Sequence, residues 1–168
     1  MSNFLQYPQE EWFKKYGPDE ITLIEKALYL AIFAHLGQKD KAGIPYIFHS
    51  LRVMLQGKTE EEMALGISHD VIEDTDIDEE DYRNDEFPEE FIKSLLAITH
   101  RKGEPREMYY DRIKKDELAW HVKEYDIEDN LSPNRLFKLK DRAARTRLIE
   151  KYGKAIDYLG YEDEERFN

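Results

Sequence analysis

The stretch His69-Asp70-Val71-Ile72-Glu73-Asp74-Thr75 places one imidazole and three carboxylates within six consecutive residues. On a helix, His69 would stand four residues from Glu73, and Asp70 four from Asp74, so the pairs would stack on neighbouring faces. Such crowding of negative charge in an enclosed site is costly unless protons or a cation occupy it. A divalent ion is the simplest resolution, and imidazole nitrogen with carboxylate oxygen suits Mn²⁺, Fe²⁺, Zn²⁺ or Mg²⁺. A charged helix end is usually only a solvated face. Here, however, Met63, Leu65 and Ile67 lead directly into His69, which starts the motif in a core. His49 and Asp126 are further potential ligands in compatible settings.

The elements that must position these groups read as helices almost throughout. Ile21, Ile24, Leu28, Ala31, Ile32 and His35 keep to one helical face, with Pro18-Asp19 as a start signal. After a loop from Gly37 to Pro45, a second helix is expected from Ile47 to Gly57. A third should run from Thr59 to Thr75, with Thr59-Glu60-Glu61-Glu62 as a capping box. Asp76 to Asp85 reads as an acidic connector. Further helices are expected after Pro88, around Glu107–Lys114 and over Glu117–Asn130. Pro133 suits the first turn of a long helix through Leu136, Leu139, Ala143, Leu148 and Tyr152. A short terminal helix would hold Ile156 and Leu159, with Tyr161 to Asn168 a frayed tail. No stretch alternates as a strand does. Residues 1–168 are thus expected to form one all-α domain.

Composition narrows the function. The chain has 168 residues, with 25 Lys and Arg against 37 Asp and Glu, for a net charge of −12. That balance disfavours a nucleic-acid polymer or an anionic membrane as partner, because few cations are left to neutralise phosphates. The absence of cysteine removes disulfides, thiolate metal sites and cysteine nucleophiles together, so any metal must be held by His, Asp and Glu. The longest apolar run, Ala27 to Ala34, is far short of the ~20 residues that span a bilayer. With no signal-peptide pattern at the start, a soluble cytoplasmic protein is expected.

Three segments in order resemble the RelA/SpoT-type alarmone hydrolases of the HD superfamily. They are His35-Leu36-Gly37-Gln38-Lys39-Asp40-Lys41-Ala42-Gly43-Ile44-Pro45-Tyr46-Ile47-Phe48-His49, then His69 to Thr75, then Val122 to Asn130, in which Asp126 precedes Asn130 by four residues. Together they span positions 35–130. The resemblance implies a helical HD-domain bundle with a metal site in its centre. It implies His49, His69, Asp70 and Asp126 as ligands of one divalent metal, usually manganese in these hydrolases. Glu73 and Asp74 would orient and deprotonate the attacking water, Asn130 would hold the nucleotide, Lys41 the phosphates or the base, and Tyr46 would shape the pocket.

The chain departs from the family pattern at two places. Asp40 stands where an Arg commonly lies against guanine, and Leu131-Ser132-Pro133 replaces the usual Met-Arg-Thr after Asn130. A carboxylate repels phosphate and cannot stack as a guanidinium does, so weaker guanine selectivity is expected. The expected activity is metal-dependent hydrolysis of a phosphoester or pyrophosphate in a small nucleotide, nearest to (p)ppGpp 3′-pyrophosphohydrolase. A nucleotidase or another nucleotide pyrophosphatase is the alternative within the superfamily. A nucleotide-sensing module without turnover is the alternative of another class. His35 is expected to support the site from the core, His100 and His121 to be surface residues, and Arg101 and Lys102 to grip a phosphate or end a helix. One or two of Arg135, Arg142, Arg145 and Arg147 could face the pocket.

Overall fold

The structure is a computed structural model that describes residues 21–161, and among them ten helices and no extended strand. The first, α1 (Leu23–Ala34), starts at Thr22. The Thr22 hydroxyl accepts from the Glu25 amide at 3.4 Å, and the Glu25 carboxylate accepts from the Thr22 amide at 2.9 Å. The expected start at Pro18-Asp19 lies outside the described residues. Ala27, Leu30, Ala31 and His35 are buried, while Ile32 is 49% exposed, so the inward stripe is rotated from the expected one. The loop to α2 (Ile47–Met54) closes on itself through an isolated antiparallel bridge between Lys39 and Pro45.

α3 (Glu60–Ser68) begins at Thr59, whose hydroxyl accepts from the Glu62 amide at 3.2 Å. The expected capping box is only half formed. The buried Glu62 carboxylate instead takes the Lys58 amide at 2.6 Å, the Tyr125 hydroxyl at 3.1 Å and His121 Nδ1 at 3.1 Å. The helix also stops well before Thr75. It breaks at His69-Asp70, where Asp70 adopts φ −104° and ψ −2°, and resumes as α4 (Val71–Asp74). The Asp74 amide still reaches the Asp70 carbonyl at 2.9 Å, so the four-residue spacing survives the break.

The acidic connector contains a helix, α5 (Glu79–Asn84). Asp78 accepts from the amides of Glu80 and Asp81, the Asp81 carboxylate accepts from the Asp78 amide, and Tyr82 is buried against Phe87 and Phe91. α6 (Glu89–Ile98), α7 (Arg106–Ile113) and α8 (Glu117–Leu131) follow close to expectation. The long helix from Pro133 is split into α9 (Pro133–Lys138) and α10 (Arg142–Leu159), because Asp141 restarts it by accepting from the Ala143 amide at 2.8 Å. The short terminal helix is the end of α10, closed by Gly160 at φ 75°. Tyr161 is buried against Trp120 and donates to the Trp120 carbonyl at 2.6 Å, so packing extends through it. The rest of the expected tail lies outside the described residues.

α3 packs against α1, α2, α6 and α8, and so forms the centre of the larger core. A second cluster joins Tyr109, Tyr110 and Ile113 of α7 to Ile127 of α8 and Tyr152, Ala155 and Leu159 of α10. Gly66 permits a close approach of two helices: a Cβ there would meet the Met54 Cα at 2.9 Å. The backbones of α2 and α3 therefore touch, and that contact sets His49 beside His69. No described helix is long and apolar enough to cross a membrane.

Candidate metal centre

Two imidazoles meet edge to face where α2 passes α3, with His49 and His69 ring centroids 5.1 Å apart. Both are buried. His69 Nδ1 lies 2.8 Å from the Gly66 carbonyl and His49 Nδ1 lies 2.7 Å from Asp129 Oδ2. Carbonyl and carboxylate oxygens only accept, so each Nδ1 carries a proton and each Nε2 points inward. Asp70 Oδ2 stands 2.9 Å from His69 Nε2 and 3.6 Å from His49 Nε2. Asp126 Oδ1 stands 3.2 Å from His49 Nε2 and 3.6 Å from His69 Nε2. Ligand atoms of His49, His69 and Asp70 lie within 4.8 Å of one another.

This donor set fits a divalent ion. His69 Nε2 is buried without a hydrogen-bond partner among the described residues, although a carboxylate oxygen is nearby. Burial opposes charge on both imidazoles, yet the surrounding carboxylates prevail. Asp126, Asp129 and Asp70 hold His49 up at about 9, and Asp70 and Asp126 hold His69 well above the usual histidine range. Protons thus gather where a cation would otherwise stand.

The carboxylates are themselves positioned. Asp126 accepts from Lys123 Nζ on Oδ2 at 2.8 Å and from Asn130 Nδ2 on Oδ1 at 2.6 Å. Asp70 accepts from the Tyr46 hydroxyl, whose ring lies 4.9 Å from His35. His35 is buried, with Nδ1 2.5 Å from Gln38 Oε1, and stands outside the ligand group as a support.

The centre forms the floor of a cavity of about 630 Å³, within the range that takes small ligands. Glu73 and Asp74 line it from α4. Solvent reaches both, but partial desolvation and the charge of Asp70 raise them above the ordinary carboxylate range. Glu73 Oε2 accepts from the His100 amide at 3.0 Å. The loop carrying that amide is tied down by Arg112, which donates to the carbonyls of Ala97 and Thr99 at 3.1 Å and to Glu104 at 2.6 Å.

Lys41, Tyr46 and Asn130 also line the cavity, so eight of the nine expected site residues surround one space, and the ninth, His69, stands behind it against Asp70. Their contacts differ in kind: Lys41 is exposed on the loop, whereas the Asn130 amide is turned onto Asp126. Asp40 serves the loop as well, its Oδ1 accepting from the amides of Ala42 and Ile44 at 2.8 and 2.9 Å. His100 borders the cavity rather than open surface, and His121 binds Glu62. Arg101 and Lys102 are exposed away from the cavity; of Arg135, Arg142, Arg145 and Arg147, Arg135 lines it.

Several lining residues escaped the sequence reading, namely Arg52, Arg106, Lys123, Asp129, Lys151 and Tyr152. For three of them a signal existed. Arg52 stands three residues after His49, Lys123 three before Asp126 and Asp129 three after it, each on the same helical face as its ligand. Arg106, Lys151 and Tyr152 reach the cavity through packing of α7 and α10, which no local spacing announces.

Parts of the chain are similar to known proteins. No family model matches the chain. Over 64 residues it is 42% identical to a chloroplastic GTP diphosphokinase, RSH1, of Oryza sativa subsp. japonica, covering 36% of this chain and 7% of the relative. Over 109 residues it is 29% identical to a protein of Mycoplasma pneumoniae named a guanosine-3′,5′-bis(diphosphate) 3′-pyrophosphohydrolase, covering 62% of this chain and 15% of the relative. The Mycoplasma genitalium protein of the same name is 31% identical over 109 residues, with the same coverage. The chain therefore spans a small part of these relatives' lengths. A solved structure described as a metazoan ortholog of SpoT that hydrolyzes ppGpp superposes with a TM-score of 0.71 at 22% identity, covering 87% of this chain and 90% of that one. The all-helical fold is shared with that structure.

Proposed function

We propose that this protein is a metal-dependent phosphohydrolase that removes the 3′-pyrophosphate of (p)ppGpp or of a closely related small nucleotide, with manganese as the ion. One observation carries the reading: two imidazole Nε2 atoms converge with the carboxylates of Asp70 and Asp126, and His49, Asp70 and Asp126 of that group line a cavity of about 630 Å³ together with Glu73 and Asp74. The names of the relatives and of the structural neighbour point the same way.

His49, His69, Asp70 and Asp126 would hold the ion, which when bound lowers the pKa of water and offsets charge on a phosphoryl oxygen. Glu73, anchored by the His100 amide, takes a proton from the attacking water, and Asp74 orients it. The water oxygen bonds to phosphorus, the bond to the ribose 3′ oxygen breaks, and that oxygen is protonated from solvent. Lys41, Arg106 and Lys151 line the same cavity and offer cations to the phosphates. Asn130 supports the reaction by fixing Asp126.

A sensing module without turnover is less well supported, because binding alone gives no use for two raised carboxylates beside the ligand group. The test is a comparison of ppGpp, pppGpp, GTP, ATP and deoxynucleoside monophosphates at fixed manganese, with phosphate and pyrophosphate assayed separately. Pyrophosphate release from ppGpp and pppGpp above the others is expected. Binding without any release would overturn the reading.

A further inference from the structure

Asp129 lies behind the metal centre, buried between α2, α8 and α9, with its side chain 4% exposed. Its Oδ1 accepts from Arg52 Nε at 2.5 Å. Its Oδ2 accepts from Arg52 Nη2 at 3.0 Å, Arg135 Nη1 at 2.8 Å and His49 Nδ1 at 2.7 Å. A carboxylate so engaged has little capacity left for a substrate, although it borders the cavity. Its contacts on three elements instead fix where its oxygens stand.

We propose that Asp129, clamped by Arg52 and Arg135, is the positioning residue that holds His49 in the tautomer and ring orientation a metal ligand requires. The proposal rests on the metal-centre reading above. An imidazole that is free to turn can present either nitrogen, and a fixed acceptor behind Nδ1 leaves Nε2 to face Asp70 and Asp126. The two guanidiniums matter because a lone buried carboxylate there would be an uncompensated charge. They let Asp129 act through its geometry while offsetting its charge. The His69 ring gets the same service from the Gly66 carbonyl, a backbone group, so only the His49 side needs a dedicated side chain.

The test compares chelator-stripped wild type and Asp129→Asn by calorimetric titration with manganese chloride, with the fold of each checked by circular dichroism in chelator. Removing a carboxylate partner of a ligating histidine is expected to weaken manganese binding about 10- to 100-fold. A structural clamp alone would lower the unfolding temperature and leave the dissociation constant of the folded protein unchanged. Binding by a folded Asp129→Asn within about threefold of wild type, against that 10- to 100-fold expectation, overturns the proposal. If the variant does not fold, nitrogen-15 spectra of the zinc-loaded wild type decide. His49 should show metal-bound Nε2 and protonated Nδ1, and the reverse assignment overturns the proposal. Wild type that binds no metal refutes this inference and the function together. Wild type that binds metal but hydrolyses no nucleotide refutes the function alone.

Discussion

Replacing Lys123 with methionine keeps the length of the side chain and removes the ammonium that faces Asp126. The two groups are 2.8 Å apart, with side chains only 12% and 5% exposed. At an effective dielectric of ~20, unit charges at that separation attract by ~6 kcal/mol before the cost of desolvating both is counted. Losing one partner of such a buried pair strands the other charge, which costs ~3–5 kcal/mol. For a chain of this size ~1 kcal/mol moves the unfolding midpoint by ~2–4 °C, so Lys123→Met should unfold ~6–20 °C below wild type in chelator. A divalent ion bound to Asp126 restores part of the missing compensation. The loss should therefore shrink when manganese is added, and the variant should gain more from manganese than wild type does. Differential scanning calorimetry with chelator and with excess manganese measures both quantities. A midpoint in chelator within ~2 °C of wild type, where the pair argument requires ~6 °C or more, would show that Asp126 is compensated elsewhere. Equal gains from manganese would show that Asp126 does not face the ion.

Glu73→Gln should keep manganese and lose about 10²–10⁴ in turnover, since the glutamine still accepts from the His100 amide but cannot take a proton. Because burial and Asp70 raise the Glu73 carboxyl, its contribution to metal-free stability is present below the ordinary value of 4.5 and is lost as pH rises through the raised one. The glutamine variant should then be no less stable than wild type at neutral pH in chelator, as thermal unfolding will show; a clear drop would contradict the assignment. Gly66→Ala should push α2 away from α3, since its Cβ would meet the Met54 backbone at 2.9 Å. The expected cost is ~1–3 kcal/mol, with manganese affinity falling too, both read by titration and denaturation. Asp40→Arg should not improve kcat/KM for ppGpp, because it removes the acceptor that the Ala42 and Ile44 amides share. A clear improvement would return Asp40 to the role of a base-contacting position.

What the sequence made legible was what local spacing controls. The helical periodicity, the order of the helices and the pairing of an imidazole with carboxylates around His69 were all readable. The resemblance supplied His49 and Asp126, which no single segment could have connected to His69. What stayed hidden depended partly on contacts between elements and partly on local side-chain caps and turns that break a continuous pattern. The break at His69-Asp70 and the restart at Asp141 interrupt patterns that look continuous. The helix within the acidic stretch rests on a capping box at Asp78 that charge density masked. Glu62 gave up its local capping role because Tyr125 and His121 of α8 stand above it. Asp40, read as a departure in ligand recognition, lines the cavity and also closes a turn through the Ala42 and Ile44 amides. Asn130, read as a nucleotide contact, has its amide on Asp126. For Glu62 the winning partners are distant in sequence, whereas Asp40, Asp78, Asn130 and Asp141 make local hydrogen bonds that periodicity alone does not announce.

The account stands on the metal centre, and manganese titration of chelator-stripped wild type beside Asp70→Ala tests it most directly. Asp70 brings one oxygen to within 2.9 Å of His69 Nε2 and 3.6 Å of His49 Nε2, so its loss removes one of the two carboxylates that both imidazoles face. Wild type should bind one manganese ion per chain, and Asp70→Ala should bind none at the same concentrations. Stoichiometric binding retained by Asp70→Ala, or no binding by wild type, would contradict the account.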